Sequence, residues 1–310
     1  MKVLVTGGAG YLGSVLCGRL LEAGHSVTVL DSFMFGQTSL FHLCADRRLE
    51  IVRGDVRDEP TVGRLVKQCD VVIPLAALVG APLCDRDPHA ATAVNRDAIR
   101  IVNRLRSKDQ LIVYPTTNSG YGTRSGAQFC TEDTPLEPIS LYGRTKVEAE
   151  EEVLGSPNSI TLRLATVFGT SPRMRIDLLV NHFVYAAVTD RYIVIFEKDF
   201  KRNYIHIRDV ADCFEHCIRN QERMVGRPYN AGLDAANLSK EELALTVQKH
   251  VPGFYIHFSE VGSDPDKRNY IVSNQRLRDA GFEAKRTLDE GISELVKAYG
   301  MMRKTVFGNC

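Results

Sequence analysis

A tyrosine and a lysine four residues apart, Tyr142 and Lys146, are the pair of side chains in this sequence best suited to proton transfer. On a helix, residues at i and i+4 share one face, so the phenol and the ammonium would point into the same space. A free tyrosine has a pKa of about 10, which is too high for a base near neutral pH. A nearby lysine cation favours the phenolate and lowers that pKa. The spacing therefore indicates a general base, while the pentad taken alone also fits an exposed helix face.

Three glycines follow the first predicted strand at three-residue spacing: Gly7, Gly10 and Gly13. An apolar helical pattern begins among them, and the order strand, glycine turn, helix lets a pyrophosphate approach the outward-pointing N–H groups of the helix N-terminus. The next predicted strand is followed by Asp31, at the distance where an acid binds the ribose of adenosine. We therefore predict a dinucleotide site. We expect it to prefer NAD to NADP, because Asp31 would repel a 2′-phosphate and no arginine follows it closely.

The elements that must position these side chains alternate regularly. Apolar runs predict strands at 3–6, 26–30, 50–53, 71–74, 111–115 and 160–163. Helical patterns lie between them, over 12–23, 59–68, 89–106 and 142–154. Such alternation is typical of parallel βαβ units, so we predict an α/β fold with an open, doubly wound parallel Rossmann sheet.

The alternation ends after Phe168, at a turn signal over 169–172. Further helices are predicted near 176–188, 210–219, 239–250 and 287–302, and strands near 204–207 and 254–258. We interpret this pattern as two domains. Residues 1–170, with 203–232 returning to them, would form the Rossmann domain. Residues 171–202 and 233–310 would form a smaller C-terminal α/β substrate domain.

Composition limits the classes of partner. The 310 residues carry a formal net charge of +1, which gives no reason to expect nucleic acid or an anionic membrane surface as a partner. No run of eighteen apolar residues is present, so we expect no membrane-spanning helix. The eight cysteines form no CxxC pair and have no histidines at zinc spacing. We therefore predict no metal site, and reduced thiols in a cytoplasmic protein.

The glycine loop has the form GxxGxxG and is preceded by Thr6, and the Tyr142–Lys146 pair follows the fifth predicted strand. The loop over 115–122, PTTNSGYG, resembles one in which a Ser or Thr is followed by two variable residues and then VYG. Together these motifs resemble the extended short-chain dehydrogenase/reductases, specifically the NAD-dependent nucleotide-sugar epimerases and dehydratases. The resemblance implies three catalytic residues. Thr117 would position the sugar oxygen, Tyr142 would remove a proton, and Lys146 would lower the tyrosine pKa and hold the nicotinamide ribose.

The same resemblance implies which residues bind the cofactor and the substrate. The residues expected to hold NAD, besides Tyr142 and Lys146, are Gly7, Gly10, Tyr11, Leu12, Gly13, Asp31, Asp55, Val56, Leu75, Ala76 and Ala77. Those expected to contact a nucleotide-diphosphate sugar are Val79, Asn118, Ser119, Asn181, Arg202 and Arg268. The two arginines would hold the diphosphate. For Arg268 alone, a plain surface charge is an equal alternative.

Four segments together look most like the GDP-heptose 4-dehydrogenases of bacterial surface-polysaccharide pathways: PLAALVGAPLC, TNSGYG, LATVFGTSPRMRIDLLVN and DPDKRNY. That resemblance implies oxidation at C4 of a nucleotide sugar. A 4-epimerase, in which the keto sugar rotates and is reduced again, remains open, as does a dinucleotide-sensing protein without turnover. The helices near 89–106 and 142–154 resemble the family's dimerising pair, so we expect a homodimer.

Overall fold

The structure is a computed structural model that describes residues 1–124, 128–261 and 268–302. Its strands, in chain order, are β1 (Lys2–Thr6), β2 (Ser26–Asp31), β3 (Leu49–Arg53), β4 (Val71–Pro74), β5 (Leu111–Thr117), β6 (Phe129–Cys130), β7 (Ser159–Leu164), β8 (Thr166–Phe168), β9 (Tyr192–Phe196), β10 (Lys201–His206), β11 (Arg227–Ala231), β12 (Asn237–Ser239), β13 (Tyr255–Ser259) and β14 (Ile271–Val272).

The helices of the described residues are α1 (Tyr11–Glu22), α2 (Glu59–Val66), α3 (Ala81–Arg86), α4 (Pro88–Thr92), α5 (Ala98–Leu105), α6 (Leu141–Leu154), α7 (Leu179–Thr189), α8 (Ile207–Arg219), α9 (Gln221–Met224), α10 (Lys240–His250), α11 (Gln275–Asp279) and α12 (Leu288–Tyr299). None of them is long and apolar enough to cross a membrane. No cluster of three metal-binding side chains occurs in the same described ranges.

Seven parallel strands form the central sheet, in the order β11-β7-β5-β4-β1-β2-β3. One face is covered by α1 and α8 and the other by α2, α5 and α6, so the strands are buried on both sides. This confirms the predicted doubly wound α/β fold. The strand order changes direction between β1 and β4, and the carboxyl ends of strands at such a switch point are where open sheets bind ligands.

The predicted helix over 89–106 is interrupted. Between α4 and α5 the chain makes a π-helical turn, Ala93–Asp97, and such turns are frequent at functional sites. The turn directs Asn95 inward, where its Oδ1 accepts from the backbone N–H of Leu78 (2.8 Å) and its Nδ2 donates to the Leu78 carbonyl (2.9 Å). The π turn therefore fixes the loop that follows β4.

The rest of the chain builds a second, smaller layer over the carboxyl edge of the sheet. It contains a three-stranded sheet, β12-β10-β8, a parallel pair, β13-β9, and a core formed mainly by α7, α10 and α12. The chain returns to the large sheet through α8 and β11, whereas β10 pairs with β8 in the small one. The exact bounds of the two predicted domains stay a prediction.

Candidate active site

The glycine turn is so tightly packed that side chains are excluded from it. Gly7 has φ +70°, and a Cβ there would lie 2.6 Å from the backbone nitrogen of Ala76. A Cβ on Gly13 would lie 2.7 Å from the Cα of Gly8. The N-cap of α1 is Gly10, which provides no capping side chain, so the first N–H groups of the helix are left for another acceptor. The turn therefore fits the pyrophosphate of a dinucleotide.

Asp31 is held rigidly at the carboxyl end of β2. One carboxylate oxygen accepts from the N–H of Ala9 (2.9 Å), and the other accepts from the N–H of Phe33 (2.8 Å) and from Nε2 of Gln37 (3.3 Å). A carboxylate has about four acceptor positions, so one remains after these three bonds. The backbone carbonyl of Asp31 also accepts from Gly54, which brings the next predicted cofactor segment beside it.

Two further segments that we predict to contact the cofactor lie along the carboxyl edge of the central sheet. Asp55 is ion-paired with Arg57 at 2.6 Å, and this hydrogen-bonded pairing holds the pKa of Asp55 below its usual value. Its neighbour Val56 is buried. On the other side of β1, the N–H of Leu75 donates to the Thr6 carbonyl (2.9 Å), so residues 75–77 run directly against the glycine turn. Their roles toward the cofactor stay predictions.

Tyr11 and Asn181, by contrast, point into the interior. The Tyr11 hydroxyl donates to the Gly169 carbonyl (2.7 Å) and accepts from Nδ2 of Asn181 (3.1 Å), and burial raises the pKa of Tyr11. Asn181 is fully buried, and it also accepts from the N–H of Gly169 and donates to the Arg175 carbonyl. Both side chains are therefore held by hydrogen bonds within the protein, and the diphosphate contact expected for Asn181 stays a prediction. The predicted cofactor contacts of Tyr11 and Leu12 would use the N–H groups at the start of α1.

The predicted catalytic pair, Tyr142 and Lys146, lies on α6, which begins at a capped turn. The side chain of Ser140 accepts from the N–H of Gly143 (3.1 Å), which satisfies one of the free donors of the helix end. Tyr142 packs against the small apolar cluster that contains Leu78 and Cys84. Lys146, one turn later, is 4% exposed, and its ammonium lies 4.0 Å from the centre of the Tyr114 ring on β5.

Burial shifts both members of this pair towards their neutral forms. Desolvation raises the pKa of Tyr142 to about 12, and the charges of Arg175 and Arg268 oppose that rise. Desolvation lowers the pKa of Lys146 to about 7, and Glu150 opposes that fall. The cations that act on the phenol in this structure are thus the two arginines, whereas the sequence pointed to Lys146 alone.

Thr117 ends β5 and is linked to two other predicted site residues. Its hydroxyl lies 2.7 Å from the Ser119 hydroxyl and accepts from the Ser119 N–H (3.1 Å). The guanidinium of Arg268 donates to the same Ser119 hydroxyl. Because the charge of Arg268 also reaches Tyr142, residues from β5, α6 and the segment before β14 converge at one place.

Asn118 and Val79 are placed differently. Asn118 is 1% exposed, and neither atom of its amide has a hydrogen-bond partner within the described residues. An unsatisfied buried polar group costs about 1–3 kcal/mol, so this amide is an unusual feature of the predicted catalytic loop. Val79 is half-buried in the loop after β4, next to Gly80, which has φ +97°. Substrate contacts by either residue stay predictions.

The two arginines predicted to hold a diphosphate meet at one short segment. Arg202, on β10, is 3% exposed, and its guanidinium carbon lies 5.7 Å from the centre of the Tyr270 ring. Arg268 precedes that tyrosine by two residues, and Tyr270 in turn packs edge-on against Tyr121 (6.2 Å between ring centres). The structure thus brings Arg202, Arg268 and the catalytic loop to the same corner of the molecule.

Our sequence reasoning missed two charged residues of this site. Arg175 is bonded to Asp177, and its charge acts on both Tyr142 and Tyr11. The signal for it was the pair of arginines in the SPRMR loop that follows β8 at the carboxyl edge of the sheet. Glu150 is the second, and its signal was its spacing of four residues from Lys146.

Comparisons with known proteins show the family to which the chain belongs. Residues 3–232 match the model of the NAD dependent epimerase/dehydratase family. The chain is 27% identical to the low-salt glycan biosynthesis protein Agl12 of Haloferax volcanii and 29% identical to a UDP-glucose 4-epimerase of Mycolicibacterium smegmatis, each over 96% of this chain and 98% of the relative.

Solved structures share the fold. A UDP-glucuronic acid 4-epimerase from Bacillus cereus, in complex with UDP-glucuronic acid and NAD, superposes with a TM-score of 0.85 at 22% identity, over 97% of this chain and 99% of that one. A dTDP-glucose 4,6-dehydratase from Bacillus anthracis, in complex with NAD, gives a TM-score of 0.82 at 20% identity, over 97% and 96%.

Proposed function

The chain is a member of the NAD dependent epimerase/dehydratase family, whose cofactor is NAD, and from this premise we propose that it oxidises C4 of a nucleotide-diphosphate sugar. The observation that carries the proposal is the convergence of Thr117, Ser119 and Arg268 beside the buried phenol of Tyr142. A base, a hydroxyl that can orient an oxygen and a cation for phosphate are what such an oxidation requires from the protein.

Each side chain has a defined part in the proposed reaction. Tyr142 removes the proton of the C4 hydroxyl, and Thr117 positions that oxygen by a hydrogen bond. Lys146 holds the nicotinamide ribose and would favour the phenolate in the complex. Arg175 and Arg268 are the cations that oppose the effect of burial on the Tyr142 pKa. Bound NAD would supply the acceptor for the hydride that leaves C4.

The substrate is proposed to be a GDP-heptose-like sugar used in surface-polysaccharide or related glycan synthesis. The support is the resemblance of four segments to GDP-heptose 4-dehydrogenases, together with a relative named for glycan biosynthesis. Arg202 and Arg268 would hold its diphosphate, since a planar guanidinium suits two phosphate oxygens. A 4,6-dehydratase is not proposed, because Asn118 and Ser119 stand where dehydratases have Asp and Glu, and neither is a comparable acid or base.

A 4-epimerase is the second candidate, favoured by relatives that carry that name. The same three catalytic residues serve both reactions, and only the fate of the keto sugar differs. Incubation with GDP-, UDP- and dTDP-linked sugars, with and without an external keto acid as oxidant, separates them. Accumulation of a 4-keto product that depends on the oxidant supports the dehydrogenase. Interconversion of C4 epimers without any oxidant would show that the protein is a 4-epimerase and not a dehydrogenase.

We also propose a homodimer and a cytoplasmic location. The cysteines of the described residues are all free thiols, which suits a reducing compartment.

Ion pairs join the outer surfaces of α5 and α6, with Arg100 Nε 2.7 Å from Glu152, and would keep these two helices together as a docking face. Sedimentation analysis of the purified chain tests the dimer, and a monomer at all concentrations would contradict it.

A further inference from the structure

Glu150 is a buried carboxylate at the junction of three elements of the active site. It lies on α6, one turn after Lys146 and two turns after Tyr142, and it is 1% exposed. Its Oε1 accepts from the Thr161 hydroxyl (2.8 Å) and from Nε of Arg163 (2.9 Å), both on β7. Its Oε2 accepts from the Thr116 hydroxyl on β5 (3.3 Å). The carboxylate therefore ties the catalytic helix to two strands of the central sheet.

Stability alone is a weak reason for this arrangement. A buried ion pair loses hydration on both sides, and replacing one by apolar residues is often neutral or stabilising. The Glu150–Arg163 ion pair is part of a larger hydrogen-bond network, because Arg163 also donates to the Tyr121 hydroxyl (3.2 Å) and to the Glu132 carbonyl (2.9 Å). Such a fixed carboxylate suits a role in orienting or charging a neighbour.

The neighbour on which the Glu150 carboxylate acts is Lys146. Within the described residues, no carboxylate oxygen lies within 4.0 Å of its ammonium, which instead sits over the face of Tyr114. Burial therefore lowers the pKa of Lys146 to about 7, and Glu150 is the group that opposes this fall. Groups from three elements face this pair: Tyr142 on α6, Tyr114 and Thr116 on β5, and Arg163 on β7.

Glu150 also reaches the catalytic loop. The Thr116 hydroxyl that donates to Glu150 accepts from the backbone N–H of Thr117 (2.5 Å). One carboxylate is thus connected to the helix that carries Tyr142 and Lys146 and to the strand end that carries Thr117.

We propose that Glu150 is a positioning residue of the active site, whose fixed negative charge acts on catalysis and cofactor binding through Lys146. Its carboxylate is bonded to Thr116, Thr161 and Arg163 within the protein. Because the carboxylate favours the ammonium form of Lys146, it extends the pH range over which that side chain can hold the nicotinamide ribose. The inference rests on the roles proposed above for Tyr142 and Lys146.

The test is the affinity of the full-length protein for NAD as a function of pH, which needs no sugar substrate. As the pH rises, Lys146 loses its proton and the affinity for NAD should fall; the pH at which half of this fall has occurred is the midpoint. In Glu150→Gln, which has the same shape without the charge, this midpoint should lie about one pH unit below that of the wild type. An unchanged midpoint in a folded variant would overturn the proposal. The matched control is Glu215→Gln, since Glu215 is equally buried and also paired with an arginine, Arg219, but lies on α8. Its midpoint should match the wild type.

Two further variants keep the test decisive. Glu150→Asp retains the charge and should keep the midpoint within about 0.3 unit of the wild type, whereas a shift as large as that expected for Glu150→Gln would contradict a role through charge. Thr116→Val breaks the link to Thr117, so it should lower kcat without moving the NAD midpoint. If Tyr142→Phe remains active, the proposed function fails. If Tyr142→Phe is inactive and Glu150→Gln shows no shift, only the present inference fails.

Discussion

The guanidinium of Arg268 donates to the hydroxyl of Ser119, 149 residues earlier in the chain. This contact joins a predicted diphosphate-binding residue to the catalytic loop, since Ser119 is itself bonded to Thr117. Binding of the substrate phosphates and placement of the reacting oxygen are thereby coupled.

Arg268→Gln should raise KM for the nucleotide sugar by about tenfold or more, because a hydrogen bond to a charged group contributes about 1.5–3 kcal/mol. A decrease in kcat should accompany it, since Ser119 loses a partner. Steady-state kinetics measures both. Arg276→Gln is the matched control, because Arg276 pairs with Asp133 outside the site. An unchanged KM for Arg268→Gln would remove this residue from the proposed diphosphate site.

Tyr142→Phe should leave folding and NAD affinity near those of the wild type while lowering kcat by about two to four orders of magnitude, the usual contribution of general acid–base catalysis. The ring keeps its packing against Leu78 and Cys84, and only the hydroxyl is lost. Circular dichroism and NAD titration check the first part, and turnover checks the second. Near-normal turnover would show that another group removes the proton.

Lys146→Met should stabilise the folded protein at pH 6 while weakening NAD binding. The folded-state pKa of about 7 lies below the ordinary value of 10.5, so the folded protein loses this proton before the unfolded chain does. Below pH 7 the buried ammonium of Lys146 therefore destabilises the folded protein by its full desolvation cost. This free-energy cost decreases as the pH rises from 7 towards 10.5. Removing it should add on the order of a few kcal/mol to the free energy of unfolding at pH 6.

Urea unfolding at pH 6 and pH 9 measures that gain, which should be smaller at the higher pH. Lys240→Met serves as the control, because Lys240 is similarly buried but donates to the Phe196 carbonyl (3.0 Å) and should gain nothing. Equal effects of the two substitutions would mean that the charge of Lys146 carries no special cost.

The chain should bind NAD more tightly than NADP, because the Asp31 carboxylate at the end of β2 is fixed by Ala9 and Phe33 and would repel a 2′-phosphate. Asp31→Asn should narrow the difference between the two affinities. Titration of both oxidised cofactors against both proteins tests this. Equal affinities in the wild type would contradict the role of Asp31.

The sequence predicted the parts of the site that depend on local periodicity. The glycine turn and the Tyr142–Lys146 face follow from spacing within one strand–turn–helix unit or one helix, so they could be predicted before any contact was known. The interior position of Asn181 and the convergence of Arg175 on the phenol could not, because they arise from contacts between distant segments. The direction of the Tyr142 pKa shift was also beyond the sequence, since it depends on burial more than on the neighbouring lysine.

The most direct test of C4 oxidation follows the hydrogen at that carbon. A nucleotide sugar that the protein turns over is prepared with deuterium at C4 and incubated with the protein and NAD. Mass spectrometry then locates the label in the sugar and in the cofactor. The account predicts a 4-keto sugar without deuterium and a reduced cofactor that carries it, with Tyr142→Phe producing neither. Deuterium found at C4 of an epimerised sugar, with no labelled cofactor, would contradict a dehydrogenase.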